Sequence, residues 1–140
     1  MRHPMRSAAA VVIAAVGLIH LYLAPEYLDS HVAIGVLFVL AGAGSAFVAV
    51  RLWYAGGQLA WLLGAAISVC TFAGFVLSRT VGLLGFEEHE WELLGIVSLV
   101  VEGTFVALFA VREQPVVARA LASPVDASSE RRRDRGRLTA

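Results

Sequence analysis

Residues 93–111 read LLGIVSLVVEGTFVALFAV, and that stretch decides the fold. A helix needs about 20 predominantly apolar residues to cross the hydrocarbon core of a bilayer, and this run has that length. Its Val and Ile favour strands, but it lacks the alternation of a half-buried strand and is too long for a buried one. Three runs of the same kind precede it: Ser7–Leu23, Val32–Val50 and Leu59–Leu77. The whole chain has 140 residues, 59% of them hydrophobic, with a mean hydropathy of +0.76. Ordinary soluble domains are about 45–50% apolar. A chain this short lacks the interior volume to hide the excess, so part of it must face lipid. The expected fold is all-α, an integral membrane antiparallel four-helix bundle over residues 1–112, with spans at about 7–23, 32–50, 59–77 and 93–111. A disordered, Arg-rich cytoplasmic tail is expected over 113–140.

The connections carry turn chemistry. Ala24–His31 joins the first pair of spans, where Pro25 is expected to end one helix and Asp29 or Ser30 to cap the next. Arg51–Gln58 joins the second pair around Gly56 and Gly57. In the third connection, Thr80–Phe86 is apolar and is expected to lie at the membrane interface. Glu87–Glu92 is acidic and is expected to form the first turns of helix four, since acids suit a helix N-terminus. Arg2 and Arg6 ahead of Ala8–Ile19 look like a secretory leader. Tyr22, however, stands where a cleavage site needs a small residue, so the segment is expected to be retained.

The charges are sorted by side. Arg2, Arg6, Arg51 and the seven arginines from Arg112 onward fall on one side of the expected membrane. Arg79 alone falls on the other, with Glu26, Asp29, Glu87, Glu88, Glu90 and Glu92. Short Arg-rich loops stay in the cytoplasm, so both termini are expected there, in a multi-pass protein of the inner (plasma) membrane. Tyr22, Tyr27, Trp53, Tyr54, Trp61 and Trp91 lie near span ends, as interfacial aromatic rings do. The tail segment Glu130–Arg137 has two readings. It is a polybasic patch drawn to anionic lipid, at about 1 kcal/mol per basic residue, or a disordered orientation signal. Its interleaved acids argue against a nucleic-acid partner.

Helix packing in lipid relies on small residues that let backbones approach. The expected packing stripes are Ala10, Ala14, Gly17 and His20 on helix one, and Gly35, Gly42, Ala46 and Ala49 on helix two. Helix three offers Gly64, Ser68, Thr71 and Phe75, and helix four Glu92, Gly95, Ser98 and Glu102.

Few residues carry chemistry. Glu102 lies nine residues into the fourth run, about 14 Å deep at 1.5 Å per residue. A charged carboxylate there costs roughly 2.5–3.5 kcal/mol, so Glu102 is expected to be protonated, hydrogen-bonded or paired. Its candidate partners are Ser98, Ser68, Thr71, Cys70, Ser45 and the Gly42–Gly44 backbone. It reads either as a proton- or ion-handling group or as neutral interhelical glue. His20 is expected one turn below the outer surface. There a metal ion is one possible cofactor, held by His20, Glu26, His31, Glu88, His89 and Glu92, because imidazole and carboxylate are ordinary ligands for zinc, copper or iron. The spacings match no established ligand motif. Haem held by two histidines is not expected, since only His20 is inside a span. Arg79 can pair with Glu87, Glu90 or Glu92, or hold an anion by its fork geometry. Cys70, the single cysteine, is expected to be a buried structural thiol.

The block Ser78–Phe86, with Glu90-Trp91-Glu92 and then Ser98 and Glu102, resembles a stretch found in small, uncharacterised four-span membrane proteins of high-GC Gram-positive bacteria. In those a Pro often stands where this chain has Leu84. The resemblance implies a bacterial inner-membrane protein and no activity. No nucleophile–base pair, phosphate loop or cofactor motif is present, so the expectation is a non-enzymatic bundle acting as a homo-oligomer or as a subunit of a larger membrane complex. The alternative is a proton- or metal-linked carrier or redox protein using Glu102 and the outer His/carboxylate cluster.

Overall fold

The computed structural model describes residues 2–85, 87 and 92–114. Four long helices carry these residues: α1 (Arg2–Ser30), α2 (Val32–Tyr54), α3 (Gln58–Thr80) and α4 (Leu93–Gln114). Each is long and apolar enough to cross a membrane, and only 39, 28, 22 and 17% of their most apolar windows, in chain order, is buried within the chain. The remaining apolar surface needs lipid as its solvent, which makes this a multi-pass membrane protein. The chain divides into a unit over 1–109, which holds the bundle, and a unit over 110–140, described only as far as Gln114. In the second unit Arg112 forms an ion pair with Glu113. The tail expected over 113–140 lies outside the described residues from 115 onward.

The first helix corrects the sequence reading. Pro25 was expected to end it, yet α1 continues through Pro25 to Ser30. A proline inside a helix forfeits one backbone hydrogen bond and crowds the carbonyl four residues back. Packing on the far side of Pro25 offsets that loss: Tyr27 sets its ring against Phe38 at 4.7 Å, and Leu28 presses its backbone against Gly35. No side-chain cap then starts α2. His31 stands at its N-cap position without a capping bond, and the Ser30 hydroxyl donates instead to the Glu26 carbonyl, 2.9 Å away. Arg51 to Tyr54, expected in a loop, complete the last turn of α2. The turn is Ala55-Gly56-Gly57 alone, with Gly56 at φ +70° and Gly57 at φ +101°, values that L side chains rarely adopt. A side chain at Gly56 would also meet the Arg6 stem.

At the third connection, Glu87 and Glu92 are not helical, so the expected acidic first turn is not formed by them. Leu93 opens α4, and the Glu92 carbonyl accepts the Ile96 N–H at 3.1 Å. Residues 88–91 lie outside the described residues.

Contacts fix the antiparallel register. Between α1 and α2, Leu28 meets Gly35, Leu21 meets Gly42 and Gly17 meets Ser45. Between α2 and α3, Gly44 meets Ile67 and Val48 meets Gly64. Between α3 and α4, Phe105 meets Gly64 and Phe75 meets Gly95. Near the Arg6 end, Arg6 reaches the Trp53 carbonyl at 3.4 Å. We call this end proximal and the His31–Leu83–Glu92 end distal. The core lies in the proximal half, where Ile13, Val16, Val48, Leu52, Trp61 and Phe105 are buried. Trp61 and Phe105 set their rings 5.8 Å apart. The expected stripes hold at Ala10, Gly17, His20, Gly35, Gly42, Gly64, Ser68, Ser98 and Glu102 but not at Ala14, Ala46 or Glu92, all exposed. Ile13, Val16, Ser45 and Val48 take the interior instead, because close approach at Gly17 and Gly42 turns their flanking positions inward.

Candidate functional site

The persistence of α1 past Pro25 changes the depth of His20. It lies ten residues from Ser30, about 15 Å along the helix. Glu102 lies nine residues from Leu93, about 14 Å. The two therefore share one level of the bundle, and their side chains meet: His20 Nε2 is 3.7 Å from Glu102 Oε1, with the side chains 6% and 2% exposed.

The surroundings of the pair constrain its protons. His20 Nδ1 lies 2.9 Å from the Val16 carbonyl, which can only accept, so Nδ1 carries a hydrogen. In a neutral imidazole Nε2 is then an acceptor, and it faces a carboxyl oxygen. Two bare acceptors at 3.7 Å repel, and one further proton, either on Nε2 as an imidazolium or on Glu102 as an acid, would relieve that repulsion. Both arrangements leave the pair with no net charge, as an apolar interior demands. Ser98 Oγ donates to Glu102 Oε1 at 2.8 Å. The Thr71 hydroxyl stands beside the carboxyl group and donates to the Ile67 carbonyl at 2.9 Å, with the Ser68 carbonyl at 3.2 Å. Glu102 Oε2 is buried and receives no hydrogen bond from the described residues. Phe38 stands edge-on to the imidazole at 5.1 Å and 87°, and Tyr27 braces Phe38 in turn. The ring is thereby fixed in orientation.

Above this pair, toward the distal end, lies a cavity of about 630 Å³. His20, Thr71, Ser98 and Glu102 form its floor. Ile34, Phe38 and Ala41 of α2 face Ile67, Gly74 and Phe75 of α3 across it, and Tyr27, Arg79, Leu83 and Glu92 form its rim. Its volume falls within the roughly 300–1,000 Å³ of small-molecule sites, which are mostly apolar with a few convergent polar groups. Below the floor, Ile13, Val16, Val48, Leu52 and Phe105 are each at most 1% exposed. Ser45 and Ser68 are fully buried at the level of the floor, and their hydroxyls have no hydrogen-bond partner among the described residues.

Of the expected partners of Glu102, Ser98 and Thr71 are beside it; His20 was not among them. Reading Pro25 as a helix end placed His20 near the surface, and that depth error hid the pairing. The signal that could have found it is the helical spacing of His20 and Tyr27, two turns apart on one face across Pro25. Cys70 corrects another expectation: it is exposed and lines the cavity, because α3 turns this position toward the gap beside α2.

Glu26 and His31 are exposed on the distal end, Glu92 is at the cavity rim, and Glu88 and His89 lie outside the described residues. Among the described residues no group of three or more His, Cys, Asp and Glu side chains could hold a metal ion. Arg79 lays its guanidinium over the Phe75 ring, 3.6 Å from the centroid, and its Nη1 donates to Ser78 Oγ at 3.2 Å. It shares a small cleft of about 50 Å³ with Glu87. No family model, curated protein or solved structure matches this chain.

Proposed function

We propose that this protein is a non-enzymatic, membrane-embedded binding protein that takes a small molecule into the distal cavity and holds it at the His20–Glu102 pair. The observation that carries the reading is the Glu102 carboxyl group: 2% exposed, facing a cavity of ligand size, with Oε2 receiving no hydrogen bond from the described residues. A neutral Glu serving only as interhelical glue has no use for a cavity beside it. The closed apolar layer beneath the floor supports one-sided access rather than a continuous channel. Four spans also fall short of the repeated architecture of self-contained secondary transporters. A role as a subunit of a larger complex is compatible with this reading and would supply whatever responds to the bound molecule.

We further propose that the Arg-rich proximal end is cytoplasmic, since ten of the eleven arginines fall there by the sorting of the loops and tail. The cavity rim then lies toward the outer leaflet. A fluorescent reporter that matures only in the cytoplasm, fused after Ala140, should be bright. An active periplasmic phosphatase at the same position would reverse the orientation.

The binding reading is tested on protein extracted with its lipids into polymer-bounded discs, without detergent. Denaturation should release one organic small molecule per chain from the wild type and none from Glu102→Leu. A wild type that releases nothing beyond the bulk lipids found with Glu102→Leu would overturn the reading.

A further inference from the structure

We infer that the cavity admits its ligand sideways from the lipid phase, between α2 and α3, and that the ligand is a hydroxyl-bearing amphiphile. This inference rests on the binding reading above and adds to it a ligand class and a route.

The route follows from where the two helices touch. Their close contacts, Gly44 to Ile67 and Val48 to Gly64, lie at mid-depth and in the proximal half. Distal of these, Leu37 and Leu40 on α2 and Cys70 and Leu77 on α3 line the cavity and are themselves exposed, as residues at an open mouth between the two helices are. Leu40 is 62% exposed. Because these residues belong to apolar spans, the opening faces hydrocarbon, and a molecule already dissolved in the membrane reaches it without crossing water.

The ligand class follows from the floor. The facing atoms of His20 Nε2 and Glu102 are 3.7 Å apart, too far for a hydrogen bond to each other. One oxygen can lie about 2.8 Å from both, within ordinary bonding range. With the proton on Nε2, that oxygen must accept from the imidazolium and donate to the carboxylate. With the proton on Glu102, it must accept from the acid and donate to Nε2. With the proton on either facing atom, the site is met by a group that donates once and accepts once, as a hydroxyl does. A carbonyl lacks the donor, and an ammonium lacks the acceptor. The apolar walls formed by Ile34, Phe38, Ile67 and Phe75 then take the hydrocarbon part.

The test uses two photoreactive probes of equal chain length, a diazirine-bearing fatty alcohol and the matching diazirine-bearing hydrocarbon, on the full chain in lipid discs. The alcohol should label α2 and α3 residues of the cavity, and the hydrocarbon should label them about tenfold less, the worth of one or two hydrogen bonds. Glu102→Leu should reduce the alcohol to the level of the hydrocarbon. Glu102→Gln, which keeps an acceptor and the shape, should retain most of the labelling and so separate loss of the site from loss of fold. The native Cys70 reports the route: a lipid-soluble maleimide should modify it, the fatty alcohol should slow that reaction, and a sulfonated, membrane-excluded maleimide should not react. Equal labelling by both probes would remove the hydroxyl requirement, and rapid reaction with the sulfonated reagent would replace the lateral route with an aqueous one. If a co-purifying molecule is found while the alcohol fails to label, the binding reading stands and the ligand class falls. If both fail, both are wrong.

Discussion

The two halves of this bundle solve opposite problems with the same kinds of residue. In the proximal half, helices meet through Gly17, Gly42 and Gly64, and large side chains fill what remains: Phe105, Ile13, Leu52 and Val48 are at most 1% exposed. In the distal half α2 and α3 part, and the space between them is a cavity of about 630 Å³ ending on the His20–Glu102 pair. In water an apolar gap of that size would be opposed by the hydrophobic effect. In lipid that force is absent, because hydrocarbon tails solvate Leu as well as another Leu does. The proximal core and the distal contacts at Gly35 and Gly95 therefore supply the association energy through packing, and the distal seam between α2 and α3 is free to stay open.

That contrast is broken most directly at Phe105. Its ring is fully buried, lies against Trp61 and occupies the space beside Gly64. Phe105→Ala is expected to destabilise the bundle by about 3 kcal/mol, the lower edge of large-to-small core substitutions, because lipid lowers the transfer term and leaves the packing term. Denaturation by titrated anionic detergent in mixed micelles measures it, and a loss under about 1 kcal/mol would mean that the proximal half is not the packed half. Gly64→Val tests the same contact from the other helix. The added side chain meets the Phe105 ring, which is enclosed and cannot swing away, so about 2 kcal/mol of overpacking cost is expected. In the double variant Phe105→Ala, Gly64→Val, the added volume fills the vacated space, so the two losses should sum to more than the double loss. Simple additivity would place the two residues out of contact.

Much of the proximal half was legible in the sequence, and much of the distal half was not, for a physical reason. Run length and composition specify spans, and small residues at helical spacing specify close approach, so Gly17, Gly42 and Gly64 could be assigned to interfaces from spacing alone. Ala14 and Ala46 could not be told from them, since a small residue suits an interface without requiring one. The distal site depended on a single helix end. Pro25 has no N–H to donate and usually marks a stop, but whether a helix resumes beyond it depends on what the next turn packs against. Here that is Gly35 and Phe38, on another helix. Without that tertiary fact His20 sat at the surface among Glu26 and His31. With it, His20 sits at mid-depth against Glu102. The error in one local rule moved a titratable side chain from one candidate site to another.

Leu40→Ala removes the same kind of apolar bulk as a core deletion, and Leu40 is no less apolar than Ile13. Leu40, however, is 62% exposed and lines the open mouth of the cavity. Truncating it leaves no sealed void, because acyl chains can occupy the space, and little dispersion energy is lost. The expected change in stability is within about 0.5 kcal/mol, as at positions outside packed features. The same substitution widens the opening between α2 and α3, so Cys70 should react faster with a lipid-soluble maleimide than in the wild type. A large stability loss with unchanged Cys70 reactivity would show α2 and α3 closed against each other at this level, and the distal half would then be a second packed core.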